Sequence, residues 1–152
     1  AAYIRYVWPE TRIIGVEPED AACVQAALQK GRRITLREVG LFADGCAVAQ
    51  TGKETLRMIR EYVDEVITVT TDEICAAVKD IFEDTRAIAE PAGALAVAGM
   101  KKYAVAHNLC GQTMAATVSE VFHLPSARSR STVKKYVAAT MAADMIQKVT
   151  PT

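Results

Sequence analysis

Two spacings of apolar residues alternate along the chain. Apolar positions three and four apart mark helices, while short unbroken apolar runs bounded by Pro or Gly mark buried strands. Residues 1–8 (AAYIRYVW) read as the end of a helix, stopped ahead of Pro9 because a residue before proline avoids helical geometry. Residues 12–17 (RIIGVE) form a β-rich run closed by Pro18, and 19–30 return to helical spacing until Gly31. The pattern then predicts a helix over 53–62 and a second strand over 65–69 (EVITV). Thr70 and Glu73 have capping-box spacing before a helix over 72–82, whose Ile74, Ala77, Val78 and Ile81 share one face.

Residues 90–99 (EPAGALAVAG) break the usual balance, being apolar almost throughout yet built from small side chains. Glu90 and Pro91 suit a first turn: the carboxylate favours the positive helix end, and proline lacks a donor that would be unused there. The helix is predicted to reach about residue 108, followed by a strand over 113–119 (TMAATVS). Between the first helices and the second strand, residues 40–48 (GLFADGCAV) carry two glycines and an Asp-Gly pair, the chemistry of a loop. From Glu120 the composition shifts to His, Pro and a Ser/Arg cluster. An amphipathic helix is predicted over about 132–148, with Val133, Val137, Met141 and Met145 as its apolar stripe. Strands alternating with helices predict an α/β fold, a mostly parallel sheet flanked by helices. Ligands in such folds sit outside the carboxyl ends of strands.

Composition narrows the function. Of 152 residues 51% are apolar and 24% charged, and eighteen basic residues balance eighteen acidic ones. That balance supplies no electrostatic footprint for nucleic acid or an anionic membrane. No apolar run approaches the ~18–20 residues of a membrane span, and no signal peptide is visible. The chain opens on Ala1 rather than Met, as expected of a processed chain or a piece of a longer one. Four cysteines, none in a C-x-x-C pair, read as reduced thiols of a cytosolic-type compartment, with Cys75 and Cys110 in core-like contexts. His107 and His123, without a partner cluster, are expected to be structural or solvated.

Several stretches then act together. VEPEDAAC, GLFADGCAV, EYVDEVITVTTDEICAAVKDIFEDTRAIAEPAGALAVAGMKKY and HNLCGQTMAATVS follow one another in order over residues 1–119. This collinear set closely resembles the threonine ammonia-lyases (threonine deaminases). They belong to the fold-type II pyridoxal-phosphate enzymes, to which serine racemases and serine dehydratases are related. The resemblance implies a partial large domain of that fold, with pyridoxal phosphate as cofactor.

Carried over residue by residue, the resemblance gives three cofactor-binding positions. Gly45 matches a glycine whose backbone lies against the cofactor ring, an approach that a side chain would obstruct. Ser119 matches a serine that hydrogen-bonds the pyridine nitrogen; a hydroxyl does not force that nitrogen to be protonated, which favours elimination. Glu90 matches a carboxylate at a helix start near the cofactor cleft, where it could orient active-site groups or act only as a favourable first-turn acid. The small residues after it would let the helix approach the cofactor sheet, or simply pack tightly. Related racemases bind a divalent cation; Glu17 and Ala21 match, but Cys23 stands where an oxygen ligand is needed, so no metal is expected.

The resemblance also implies parts that are not in this sequence. The family's Schiff-base lysine follows a serine and an aromatic residue, and none of the lysines at 30, 53, 79, 101, 102, 134, 135 and 148 has that context. No two glycines are adjacent, so the phosphate-binding loop is absent. After Ser119 the family continues Gly-Ala-Asn, whereas here Glu120-Val121-Phe122-His123 follows. Residues 1–119 are thus expected to be the C-terminal part of a catalytic domain and 120–152 an unmatched tail. No catalytic residue is assigned. The implied activity is conversion of L-threonine to 2-oxobutanoate and ammonia in isoleucine biosynthesis, in the cytoplasm, by a homo-oligomer when full length. The segment is expected to be inactive alone. L-Serine is the competing substrate, since one methyl group separates the two. Alternatives are a serine dehydratase or racemase relative, and a non-catalytic remnant or interaction fragment. No nucleic-acid or membrane partner is expected.

Overall fold

The structure is a computed structural model that describes residues 1–110, 112–117 and the backbone of 121–123. It divides into two compact units, Ala1–Thr70 and Thr71–Thr152.

In the first unit, strand β1 (Ile14–Pro18) pairs in parallel with β2 (Glu65–Val69), in register from Ile14 opposite Glu65 to Pro18 opposite Val69. β2 falls on the predicted residues. β1 starts two residues late and ends on the buried Pro18, tolerated because a strand's terminal residue need not donate to the ladder. Helix α1 (Ala2–Val7) ends before Pro9 as expected and has no buried residue. Polar bonds hold it instead. The Arg5 guanidinium donates to the carbonyls of Pro9 (3.0 Å), Thr11 (3.1 Å) and Tyr62 (3.2 Å) and pairs with the Asp64 carboxylate at 2.7 Å. Asp64 also accepts the Ile13 N–H at 2.7 Å. These two donors, the backbone N–H first, hold the Asp64 carboxyl below its ordinary range.

The helix predicted over 19–30 divides in two. A 3-10 turn (Glu19–Ala21) comes first, and Ala22 then leaves helical geometry before α2 (Cys23–Gln29). The cause lies upstream of the helix. Both carboxylate oxygens of Glu17, at the end of β1, accept from the first turn of α2: Val24 N–H at 2.9 Å and Gln25 N–H at 2.8 Å. The strand thus caps the helix that follows it, and the intervening residues must turn to permit this. Burial, and then the Glu17 carboxylate, push the Cys23 thiol up. Gly31, at φ 64°, closes α2 in the left-handed region. Helix α3 (Lys53–Tyr62) occupies the predicted residues and buries Leu56.

The second unit is apolar where the first is stitched. Helix α4 (Thr71–Thr85) runs three residues past the prediction and buries Ile74, Ala77 and Ile81. It packs against α5 (Pro91–Ala106), whose buried residues include Gly93, Ala94, Val97, Ala98 and Gly99. Small side chains on α5 let the two backbones come close, and eight of its sixteen residues are buried, all between Gly93 and Tyr103. Lys102 pairs with Glu73 at 3.0 Å, and Lys101 with Asp80, across the two helices.

α4 ends through Thr85, whose hydroxyl donates to the Ile81 carbonyl at 2.6 Å and accepts the Ala87 N–H at 3.2 Å. Arg86 follows at φ 60°. Strand β3 (Ala87–Ala89), absent from the sequence reading, pairs antiparallel with β4 (Val121–His123). Residues 113–117 form no strand, which corrects the one predicted over 113–119. The ladder partner of β3 is taken by 121–123 instead, and an alternating run without a partner strand has nothing to pair with. The helix predicted over 132–148 lies outside the described residues.

All four cysteines are free, but their burial reverses the expectation: Cys23 is buried, while Cys75 and Cys110 are exposed. Cys75 follows Ile74, so a helical turn of about 100° carries it off the buried face. No helix among the described residues is long and apolar enough to cross a membrane.

Candidate cofactor-binding wall

The predicted glycine loop is built as a closed loop over 36–49. Its ends meet where the Leu36 N–H donates to the Ala49 carbonyl at 2.8 Å. Below that neck, Gln50 donates to the Thr35 hydroxyl at 2.6 Å, and Arg33 Nε–H donates to the Thr51 carbonyl at 3.0 Å. Halfway round, the Gly40 N–H donates to the Asp20 carbonyl at 2.9 Å. A Cβ on Gly40 would lie 2.8 Å from the Asp20 Cβ, so this contact admits no side chain without movement. Compact loops with joined ends are frequent carriers of function.

At the tip, a 3-10 turn (Asp44–Cys46) presents Gly45. The Cys46 N–H and thiol both donate to the Ala43 carbonyl, at 3.0 and 3.2 Å, and Ala47 N–H donates to the Asp44 carbonyl at 3.1 Å. Ala43 is buried beneath the turn, while Gly45 is exposed. Leu41, 76% exposed, and the neighbouring Phe42 add apolar surface. The turn therefore offers backbone and apolar side chains together, the surface a flat aromatic ligand needs.

Glu90 stands between β3 and α5. It is the N-cap rather than a first-turn residue, with extended backbone (φ −67°, ψ 159°), and Pro91 takes the first helical position. Its carbonyl accepts the Ala94 N–H at 3.0 Å. Its half-buried carboxylate makes no capping hydrogen bond to α5. Gly45 belongs to the first unit and Glu90 to the second. Ser119 lies outside the described residues.

The five described lysines, Lys30, Lys53, Lys79, Lys101 and Lys102, are all exposed, and three of them are ion-paired. Among the described residues there is no buried amine to anchor an aldehyde cofactor and no group of His, Cys, Asp and Glu arranged for a metal. The exposed backbone of the Gly45 turn, with Leu41 and Phe42 near it in sequence, would fit one face of a cofactor ring. It does not hold the group by itself.

The Gly40–Asp20 contact and the Glu17 cap escaped the sequence reading. No local signal marks either, because each joins residues from different elements.

Residues 1–120 match the family described as pyridoxal-phosphate dependent enzymes. The chain is 53% identical over 119 residues to L-threonine dehydratase biosynthetic IlvA of Salmonella typhimurium, covering 78% of this chain and 23% of that protein. It is 60% identical over 102 residues to the mitochondrial threonine dehydratase of Saccharomyces cerevisiae, covering 67% and 18%. Among solved structures it resembles the processed form of threonine deaminase isoform 2 from Solanum lycopersicum. That similarity has a TM-score of 0.71 at 39% identity and covers 72% of this chain and 32% of the other. The chain thus spans about a quarter of the length of the bacterial relatives it matches.

Proposed function

This chain belongs to the family of pyridoxal-phosphate dependent enzymes, and on that footing we propose that it forms part of the catalytic domain of a threonine ammonia-lyase. The whole protein would convert L-threonine to 2-oxobutanoate and ammonia in isoleucine biosynthesis, as a cytoplasmic homo-oligomer. The observation that carries this reading is 53% identity over 119 residues to a biosynthetic L-threonine dehydratase. We assign residues 1–119 to the catalytic part and 120–152 to a tail; the family match ends at residue 120.

Within that reading each assigned residue has one task. The Gly45 turn would lie against the cofactor ring, with its backbone rather than a side chain as the contact. The Ser119 hydroxyl would bond the ring nitrogen, as the resemblance implies. The Glu90 carboxylate, which makes no capping bond to its own helix, would orient active-site groups, as the resemblance implies. The anchoring lysine is supplied outside residues 1–152, so the segment alone is inactive.

A chimera tests the proposal. Residues 1–119 replace the matching segment of the Salmonella typhimurium relative, and release of 2-oxobutanoate from L-threonine is measured. Retained turnover with threonine preferred to serine is the expected result; a folded, cofactor-loaded chimera without turnover overturns it. The chain alone, mixed with pyridoxal phosphate and reduced with borohydride, should show no stoichiometric adduct on a single lysine.

A second reading, association with an intact relative, is favoured by the apolar side chains left exposed on the first unit, Tyr3, Tyr6 and Leu41 among them.

A further inference from the structure

A pocket of about 500 Å³ opens beside α3, within the first unit and apart from the Gly45 turn. Lys53, Leu56, Arg57 and Arg60 lie three and four residues apart, so they share one face of α3. Arg33 enters from the neck of the 36–49 loop. Leu56, only 3% exposed, is the floor, and the methylene stems of the surrounding long side chains extend its apolar surface.

The charges on this pocket are unevenly spent. Both of its carboxylates are engaged by one cation: Arg57 Nε bonds Glu54 at 2.9 Å and its Nη1 bonds Glu61 at 2.8 Å. Lys53 and Arg60 make no ion pair among the described residues. Arg33 is held by neutral acceptors alone, the Thr51 carbonyl at 3.0 Å and the Gln50 side-chain oxygen. Those bonds use two of the five N–H donors of a guanidinium, fixing the group while leaving its charge and three donors available. One preorganised guanidinium and two further cations thus surround an apolar floor. A guanidinium fork matches carboxylate and phosphate oxygens, and a preorganised donor loses little freedom on binding.

We infer that this pocket binds a small organic anion, a carboxylate or phosphate carried on an apolar body, at a site separate from the cofactor wall. The anionic group sits between Arg33 and Arg60 with Lys53 beside it, and the apolar body rests on Leu56. The inference does not depend on the threonine ammonia-lyase reading.

The test uses the full chain, with phenyl phosphate as probe and inorganic phosphate as its headgroup alone. Amide shifts are followed by heteronuclear NMR. Saturable shifts centred on Arg33, Lys53, Leu56 and Arg60 are expected, with phenyl phosphate bound more tightly than phosphate. Because Lys53 and Arg60 are exposed and make no ion pair among the described residues, the double variant Lys53→Gln/Arg60→Gln leaves the fold intact. Loss of two charge-assisted contacts should weaken phenyl phosphate at least about tenfold, whereas Lys79→Gln, on α4, changes nothing. No saturable shift, equal affinity for the two probes, or undiminished affinity in the double variant overturns the site.

Discussion

The two units are held together by different means. In Ala1–Thr70, a two-stranded parallel sheet is supported by polar bonds between distant residues: Arg5 to Asp64, Glu17 to the first turn of α2, Gly40 to Asp20. In the second unit, α4 and α5 meet through an apolar face of Ile, Val, Ala and Gly. Parallel strands are ordinarily buried on both faces by further layers, so a two-stranded parallel sheet offers little core of its own. Discrete polar contacts then decide where its elements stop and start. Helices that interlock through small residues take their geometry mainly from close packing, and the Lys102–Glu73 and Lys101–Asp80 pairs between α4 and α5 involve side chains more than a third exposed.

If that contrast holds, core truncation should hurt the second unit most. Ile74→Ala removes a side chain that is 1% exposed and should cost about 2–5 kcal/mol, read from urea unfolding by circular dichroism. A loss under about 1 kcal/mol would mean that this face does not hold the unit. In the first unit the largest effect should come from Gly40→Ala, about 1–3 kcal/mol from overpacking against Asp20. Adding Asp20→Gly should recover much of it, and additive losses in the double-mutant cycle would deny the contact. Glu17→Ala should cost about 0.5–2 kcal/mol, the range of a lost helix cap. It should also lower the Cys23 thiol pKa, since the carboxylate adds to the upward push of burial. An unchanged thiol titration would remove Glu17 from that pair.

Asp64→Asn should have the smallest effect, and the most specific in pH. The folded carboxyl is depressed below its ordinary value of 3.8, so its ionised form stabilises the fold above that value. The stability is lost as pH falls below 3.8 toward the folded value. The parent should therefore exceed the variant in melting temperature at neutral pH, and the two curves should converge on acidification. A gap constant down to strongly acidic pH would assign the difference to something other than ionisation.

The same contrast explains what could be read in advance. α3 and β2 were legible to the residue because their signals are local: a 3.6-residue face over 53–62 and an unbroken β-rich run over 65–69. The face of α4 was legible for the same reason. β3 was not, because Ala-Ile-Ala carries almost no strand preference and becomes a strand only through its partner at 121–123. The division of the 19–30 helix was hidden because its cap, Glu17, comes from the preceding strand. The exposure of Cys75 follows from its angle on the helix, which its apolar neighbours in sequence conceal. For the candidate site, the Gly45 loop was legible as a turn. Its cofactor role came only with the resemblance, since an exposed glycine looks the same with or without a ligand to meet.

Trp8 is the only tryptophan of the chain. It is 63% exposed and sits at the end of the short helix that Arg5 ties down. Its emission should therefore be red-shifted in the native protein and should respond to release of the Arg5–Asp64 tether. A change in that emission between the parent and Asp64→Asn would report the tether. The apolar interlock of α4 and α5 would have to be followed by another colour of light, through Tyr103 or the helical signal in the far ultraviolet.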